Sequence, residues 1–167
     1  QKLDWINGVY MRNATDEQLL ETITKDVAPT FATDLPRWKH ETFLLLINIY
    51  KQRAKTLKEL VDDIKALYNA PTSYAQEDIA QWITPETYVQ LQEVKSRLES
   101  ESSFTSDGLT HLFKDWTKTK NIKITAIAQP LRLALIGKTS GPGVFDLMAV
   151  LGKHEVLARI DLLLEYL

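Results

Sequence analysis

Residues 130–145 read PLRLALIGKTSGPGVF, in which a glycine-containing loop separates two apolar runs. The run before the loop contains one basic residue, Arg132, and the loop holds three of the six glycines of the chain, Gly137, Gly141 and Gly143. Glycine ends a helix readily because it adopts a left-handed backbone conformation without strain. The pattern predicts that one helix ends at Gly137 and that another begins within the loop.

The second half of this loop carries signals for a helix start. We expect Ser140 or Gly141 at the N-cap and Pro142 in or beside the first turn. Gly143 has no side chain and therefore leaves the backbone of that turn accessible. The first N–H groups of a helix have no partner within it and attract anions. The loop is therefore either a tight connection whose glycines serve only turn geometry, or a site for an anionic ligand.

Helix signals extend from this stretch along the whole chain, and no run of four or more residues alternates cleanly as a strand would. Threonines that can cap a helix precede apolar residues at helical spacing at Thr15, Thr56 and Thr84. Toward the C-terminus we expect a helix ending in a lysine-rich turn, a helix interrupted or restarted at Pro130, and two helices separated by Gly152. The sequence predicts an all-α protein of about eight helices.

The stretch 36–55 is the most apolar of these helical segments. Pro36 stands at its expected first turn, and the side chains between Phe43 and Tyr50 are apolar nearly all round. A helix that is apolar on all sides is normally buried. We expect this helix to be the central, most buried one.

The stretch ESESSFTSDG, which begins at residue 99, is the most polar and least periodic part of the chain. We expect it to separate two small helical subdomains, residues 1–103 and residues 104–167. The two parts also differ in charge, because residues 1–102 hold 12 Lys and Arg against 16 Asp and Glu, whereas residues 103–167 hold 8 against 6.

Positive charge is concentrated between residues 110 and 138, where six basic side chains are opposed by one acidic one, a surplus of five. The basic residues are Lys114, Lys118, Lys120, Lys123, Arg132 and Lys138. This surplus is either a solvated lysine-rich face or a site for a polyanion. An arginine beside exposed backbone groups, with lysines nearby, is typical of proteins that contact unstacked RNA bases.

No catalytic constellation is visible in the sequence. The histidines His40, His111 and His154 are far apart, and none has a second histidine three or four residues away as a helical zinc site requires. The phosphate-binding patterns GxGxxG and GxxxxGK[ST] and the nucleophile pattern GxSxG do not occur. The chain contains no cysteine, which excludes disulfides and thiolate metal sites.

The chain has the composition of a globular protein, with 44% apolar and 25% charged residues. No apolar stretch approaches the roughly 18–20 residues that span a bilayer, so we expect no membrane partner. The lack of cysteine and of a secretory leader at the start, QKLDWING, leads us to expect a cytoplasmic protein.

The motif QPLRLALIGKTSGPGVFDLMAVLGKHEVLARI (residues 129–160) closely resembles the C-terminal end of bacterial-type glutamyl-tRNA synthetases. In that family a P-L-R-x-A-L-T-G segment, a loop, a P-G-[LV]-F helix and an L-G-K-x-x-x-L-x-R-[IL] helix follow in the same order. KLDWINGVYMR (residues 2–12) is similar to the family's K-L-x-W-x-N-x-x-Y-[IM] linker, and TLKEL (56–60) to another family segment. The resemblance spans essentially the whole chain and is loosest between about residues 70 and 105.

The resemblance implies the all-helical anticodon-binding region of a class I aminoacyl-tRNA synthetase that attaches glutamate to tRNA with ATP. The family's HIGH and KMSKS signatures are absent, so the chain is expected to bind tRNA as a non-catalytic part, with ATP and Mg held in a catalytic domain outside it. The implied partner is glutamate tRNA. Glutamine tRNA is a second candidate, because FLLLINIY (43–50) lacks the arginine with which some members select an anticodon base. We expect a monomer.

The resemblance also assigns residues. Arg132 matches the arginine that contacts an anticodon base, and Gly141 and Val144 fall where loop and helix-start residues line the anticodon pocket. Other members often carry a threonine at the position of Gly141, so a contact there would pass to the backbone or to a neighbouring hydroxyl. The expected contact set is completed by Lys138, Thr139 and Ser140, and the supporting basic surface consists of Lys114, Lys118, Lys120 and Lys123. Trp5, Asn7 and Tyr10 match the linker and are expected to be structural.

Two other functions remain open at this point. A helical protein-interaction module would present a substantial exposed apolar patch to a partner helix. A nucleic-acid binder of the helix–hairpin–helix kind would use the TSGPGV segment on phosphates without sequence preference, and would bind duplex DNA as readily as tRNA.

Overall fold

The computed structural model describes the backbone of residues 2–167 and the side chains from Gly8 onward. Over this part of the chain every regular element is helical, with ten α-helices and one π-helical turn at Ile23–Val27. The α-helices are α1 (Lys2–Asn13), α2 (Asp16–Thr22), α3 (His40–Lys51), α4 (Leu57–Tyr68), α5 (Gln76–Trp82), α6 (Pro85–Ser100), α7 (Ser106–Lys120), α8 (Thr125–Ile136), α9 (Val144–Leu151) and α10 (Lys153–Tyr166). The predicted all-α fold is confirmed, although the described residues form ten α-helices where about eight were expected. The linker motif forms α1, which the sequence did not predict, and its Trp5 and Asn7 lie outside the described side chains.

The helices form two compact units, one that ends at Asn69 and one that runs from Ala70 to Leu167. This division differs from the expected one, which placed the first 103 residues together. The difference arises because α6 packs against α8 and α10 and so joins the second unit. The polar stretch after α6 is a short connection within that unit, where Lys153 donates hydrogen bonds to the carbonyls of Glu99 and Glu101.

In the first unit, helix starts follow the predicted threonine caps. Thr15 accepts a hydrogen bond from the backbone N–H of Gln18 (3.1 Å), and the Gln18 amide oxygen accepts one from the N–H of Thr15 (3.0 Å). Thr56 caps α4 by accepting from the N–H of Glu59. These contacts use N–H groups that the helix itself leaves without partners.

Helix α3 differs from its prediction in two respects. It begins at His40 rather than at Pro36, because Trp38 turns inward and packs edge-on against Tyr68, with ring centroids 4.9 Å apart. It is also not the most buried helix, since Leu45 is 55% exposed. Lys51, near its end, is buried and forms an ion pair with Asp16 (2.8 Å).

The most buried helix of the described chain is α8, in the second unit. Its buried residues are Ile127, Pro130, Leu131, Leu133, Ala134 and Leu135. The helix is continuous through Pro130, so the expected interruption is absent. Proline removes one backbone hydrogen bond from a helix. Packing of the helix against α6, α9 and α10 offsets that loss.

Candidate nucleic-acid interface

The loop from Gly137 to Gly143, called here the 137–143 loop, joins α8 to α9. Gly137 has a left-handed backbone (φ +71°), and its N–H donates to the Leu133 carbonyl (2.8 Å), so it ends α8 as predicted. A Cβ at this position would lie 3.2 Å from Cβ of Pro71. Glycine is therefore favoured at Gly137 by its left-handed conformation, and a larger residue would also crowd Pro71.

The other end of the loop departs from the prediction. The N-cap of α9 is Gly143, not Ser140 or Gly141, and no side chain caps it. The carboxylate of Asp146 lies in the first turn of α9, where it accepts a hydrogen bond from the Ser106 hydroxyl (2.6 Å). A negative side chain is favourable at this positive helix end. The negative charge at the start of α9 is thus supplied by the protein's own Asp146.

Arg132 binds the loop directly. Its side chain is half-buried, and it donates from Nε and Nη2 to the Pro142 carbonyl (3.3 and 3.2 Å) and from Nη1 to the Thr139 carbonyl (3.3 Å). Nη1 also donates to the Gln129 side chain, one turn earlier on α8 (2.6 Å). The planar, forked guanidinium can meet several acceptors at once, which a lysine ammonium cannot do in the same geometry. Arg132 therefore fixes the path of the loop.

The remaining residues of the expected contact set occupy different environments. Lys138 and Ser140 are exposed, Gly141 is half-buried, and Val144 is buried in the core. The Thr139 hydroxyl is committed to a contact within the chain, because it donates to the carboxylate of Asp78 on α5 (3.0 Å). The structure therefore brings Arg132, Thr139 and Gly141 together and buries Val144 in the core.

The basic residues of α7 and of the turn after it lie in different environments. Lys114, Lys118 and Lys123 are exposed, and the first two lie one turn apart on α7. Lys120 forms an ion pair with Glu93 of α6 (2.7 Å). Helix α7 is tied to the start of α9 by stacking of Phe113 on Phe145, with ring centroids 5.0 Å apart.

Two residues of the site were not predicted from the sequence. Gln129 precedes Arg132 by three residues, a spacing that places both on one helix face, so the pair could have been found from the sequence. Asp78 is 61 residues from Thr139, and no local pattern indicates that contact.

A sequence profile described as an anticodon binding domain matches residues 15–164 of the chain. The chain belongs to the anticodon-binding domain family. Its 137–143 loop and Arg132 lie within the matched range.

Relatives of this anticodon-binding domain are glutamate–tRNA ligases. The chain is 34% identical to the enzyme of Nitrobacter hamburgensis over 165 residues, and 35% identical to that of Rhodopseudomonas palustris over 166 residues. In each case it spans 35% of the relative's length, so these proteins are about three times as long. The crystal structure of a glutamate tRNA ligase from Elizabethkingia meningosepticum matches 97% of the chain with a TM-score of 0.84 and 28% identity, and the chain covers 31% of it.

The surface of α3 in this domain has no exposed lysine or arginine within the described residues of the helix. Its exposed side chains are His40, Glu41, Leu45 and Asn48. Its one lysine, Lys51, is turned inward, where it donates to the Ala14 carbonyl (3.1 Å) and pairs with Asp16. Among the described residues there is no group of three or more histidines and carboxylates that could hold a metal ion, and none of the helices could cross a bilayer.

Proposed function

We propose that this anticodon-binding domain recognises the anticodon of glutamate tRNA as part of a glutamate–tRNA ligase. Family membership makes tRNA the expected class of partner, and the relatives named above are ligases for glutamate. The observation that carries the proposal is the contact of Arg132 with the Thr139 and Pro142 carbonyls, which holds the glycine loop in one shape beside a guanidinium group.

Recognition in this proposal depends on a surface formed before RNA arrives. A loop whose path is already fixed loses less conformational entropy on binding. Unstacked anticodon bases are read by planar groups such as guanidinium and by backbone groups, and the phosphates are held by lysines. In this proposal Arg132 has both roles, since it shapes the loop and its half-buried guanidinium lies beside the loop backbone.

The lack of an exposed arginine or lysine on the described residues of α3 bears on the choice of tRNA. We propose that the domain accepts glutamine tRNA as well as glutamate tRNA, because α3 exposes only Leu45, Asn48, His40 and Glu41. Binding to the two tRNAs within about threefold of each other would support this, and a difference above about tenfold, which is 1.4 kcal/mol, would contradict it.

The activity of the longer protein is also part of the proposal. It attaches glutamate to tRNA, with ATP and Mg bound in a domain outside this chain, and it acts in the cytoplasm as a monomer. The chain itself is a non-catalytic binding part of that enzyme.

The test is fluorescence-anisotropy binding of the chain to glutamate tRNA and to the same tRNA with a changed anticodon, at low and moderate salt. We expect the wild type to prefer the true anticodon and Arg132→Ala to lose that preference, by on the order of 1–3 kcal/mol. Arg97→Ala is the matched control, because it removes one exposed arginine from α6. The changed anticodon is one that belongs to neither glutamate nor glutamine tRNA. If the wild type bound the tRNA with this anticodon as tightly as glutamate tRNA, the proposal would be refuted and the protein-interaction module favoured. Equal binding of duplex DNA would favour the helix–hairpin–helix alternative.

A further inference from the structure

The 137–143 loop is supported from outside its own motif. Segment 70–78, which contains the start of α5, contacts the loop at two points. Pro71 closes the space beside Gly137, and the Asp78 carboxylate accepts the hydrogen bond of the Thr139 hydroxyl. The second contact fixes a loop side chain that the sequence motif assigns to the RNA.

We propose that Asp78 is a positioning residue for anticodon recognition. The inference rests on the proposed function and adds a residue that lies far from the 129–160 motif. Asp78 acts through the Thr139 hydroxyl. The Thr139 carbonyl accepts from Arg132, so Thr139 is held by its side chain on one side and by its backbone on the other. When the Asp78 contact is lost, Thr139 keeps only the contact of its backbone carbonyl with Arg132.

The location of Asp78 fits this role better than a role in stability alone. The carboxylate is half-buried at the surface of the second unit, where the main energetic consequence of one hydrogen bond is modest. A carboxylate also repels RNA phosphates, so it would be an unfavourable neighbour for a loop that binds RNA unless it contributes to the shape of that loop. A positioning role accounts for its presence at this point.

The chain offers matched variants that separate hydrogen bond from charge. Asp78→Ala removes both, Asp78→Asn keeps an acceptor oxygen and removes the charge, and Glu77→Ala removes an exposed charge from the adjacent position on α5. Thr139→Val removes the hydroxyl while preserving the shape of the side chain.

The measurement is the ratio of two dissociation constants, one for a labelled RNA stem–loop with the glutamate anticodon and one for the same RNA with a changed anticodon. We expect Asp78→Ala to reduce the preference that this ratio measures by about two- to tenfold, the range that one hydrogen bond contributes. Asp78→Asn should restore most of the preference. Glu77→Ala should leave it unchanged while strengthening binding to both RNAs equally.

Thr139→Val tests whether Asp78 acts through Thr139. The double variant Asp78→Ala/Thr139→Val should have the same ratio as either single variant, because both remove the same contact. Additive losses would mean that Thr139 touches RNA independently of Asp78, and would overturn the inference. Thermal unfolding of each variant gives the effect on stability, which a merely structural residue would change without changing the ratio.

The outcomes distinguish the two proposals. A wild-type chain with no anticodon preference would overturn the proposed function and this inference together. A wild-type preference that is lost in Arg132→Ala but retained in Asp78→Ala would leave the proposed function standing and overturn only the role of Asp78.

Discussion

Two arginines hold the end of α8, and their surroundings differ. Arg159 of α10 is fully buried; it donates to the Leu135 carbonyl in the last turn of α8 and pairs with Glu155 (2.8 Å). Arg132 is half-buried and donates to carbonyls of the 137–143 loop. Arg159 therefore binds the last turn of the helix, and Arg132 holds the loop that follows it.

The difference between them follows from burial. A buried charge has lost its hydration and depends on its protein partners, so removing one partner is costly. A half-exposed charge replaces contacts with water by contacts with the protein, and the net gain in stability is small. We expect Arg159 to dominate the stability of this region and Arg132 to dominate its recognition of RNA, although both donate to backbone carbonyls.

The largest effect is expected at Arg159. Arg159→Met should lower the free energy of unfolding by about 3 kcal/mol, because it removes the hydrogen bond to the Leu135 carbonyl and the ion pair with the partly exposed Glu155 carboxylate. Urea denaturation measures this loss. The double variant Arg159→Met/Glu155→Met should be more stable than the single one, since it also removes the carboxylate that has lost its arginine. A loss below about 1 kcal/mol for Arg159→Met would remove the contrast with Arg132.

The next effect concerns the glycine between the two arginines. Gly137 and Gly152 both have a positive φ (+71° and +81°), but their conformations differ. Gly137 is left-handed helical (ψ 10°), whereas Gly152 (ψ 160°) lies in a region that is essentially restricted to glycine. Alanine at Gly152 should cost about 2 kcal/mol from conformation alone. Alanine at Gly137 should also cost about 2 kcal/mol, because a Cβ there would lie 3.2 Å from Pro71, which must move. A loss of only about 1 kcal/mol at Gly137 in urea denaturation would mean that segment 70–78 moves easily to accept the new side chain.

A smaller loss of stability is expected at Arg132. Arg132→Ala should lower the free energy of unfolding by about 1 kcal/mol, since the loop carbonyls can bond to water instead. Thermal unfolding at matched salt checks this. Arg132→Lys should be as stable as Arg132→Ala. It should also lose anticodon preference, because an ammonium cannot replace the forked guanidinium. A loss of stability as large as that of Arg159→Met would show that Arg132 is chiefly structural.

Local chemistry explains why much of the fold was predictable. Thr15, Thr56 and Thr84 each cap the helix that follows, and the N–H they bind is only three residues away. Gly137 and Gly152 end α8 and α9 because their backbone conformation is a property of glycine. Such signals lie within one turn of the feature that they determine.

Contacts between distant residues explain what the sequence could not predict. The four-residue delay in the start of α3 depends on packing of Trp38 on Tyr68, 30 residues later. The start of α9 at Val144 comes with a carboxylate held by Ser106, on another helix. For the candidate site, Arg132 and its loop were predicted from the motif, but the contact of Thr139 with Asp78 was not, since it joins residues 61 positions apart.

The smallest effect is expected beside Arg159, at Tyr74. This side chain is buried, its hydroxyl has no hydrogen-bond partner among the described residues, and its ring packs edge-on against Tyr166. Tyr74→Phe should therefore keep the stability of the wild type at neutral pH or raise it by up to about 1 kcal/mol, because an unpartnered hydroxyl is costly to bury. Urea denaturation at neutral pH gives the comparison, and a loss above about 1 kcal/mol would mean that the hydroxyl is stabilising.

The same variant should change the response to alkaline pH. Burial raises the pKa of Tyr74 above its usual value of 10.0, against the opposing effect of the Arg159 charge. As pH rises past 10.0, the unfolded chain releases this proton before the folded chain does, so the free energy of unfolding falls from there toward the folded pKa. Tyr74→Phe should show a smaller fall over that range than the wild type. Identical alkaline curves for Tyr74→Phe and the wild type would place the titrating group elsewhere, and the contrast between the two arginines would then rest on the Arg159–Glu155 pair and not on the tyrosine beside it.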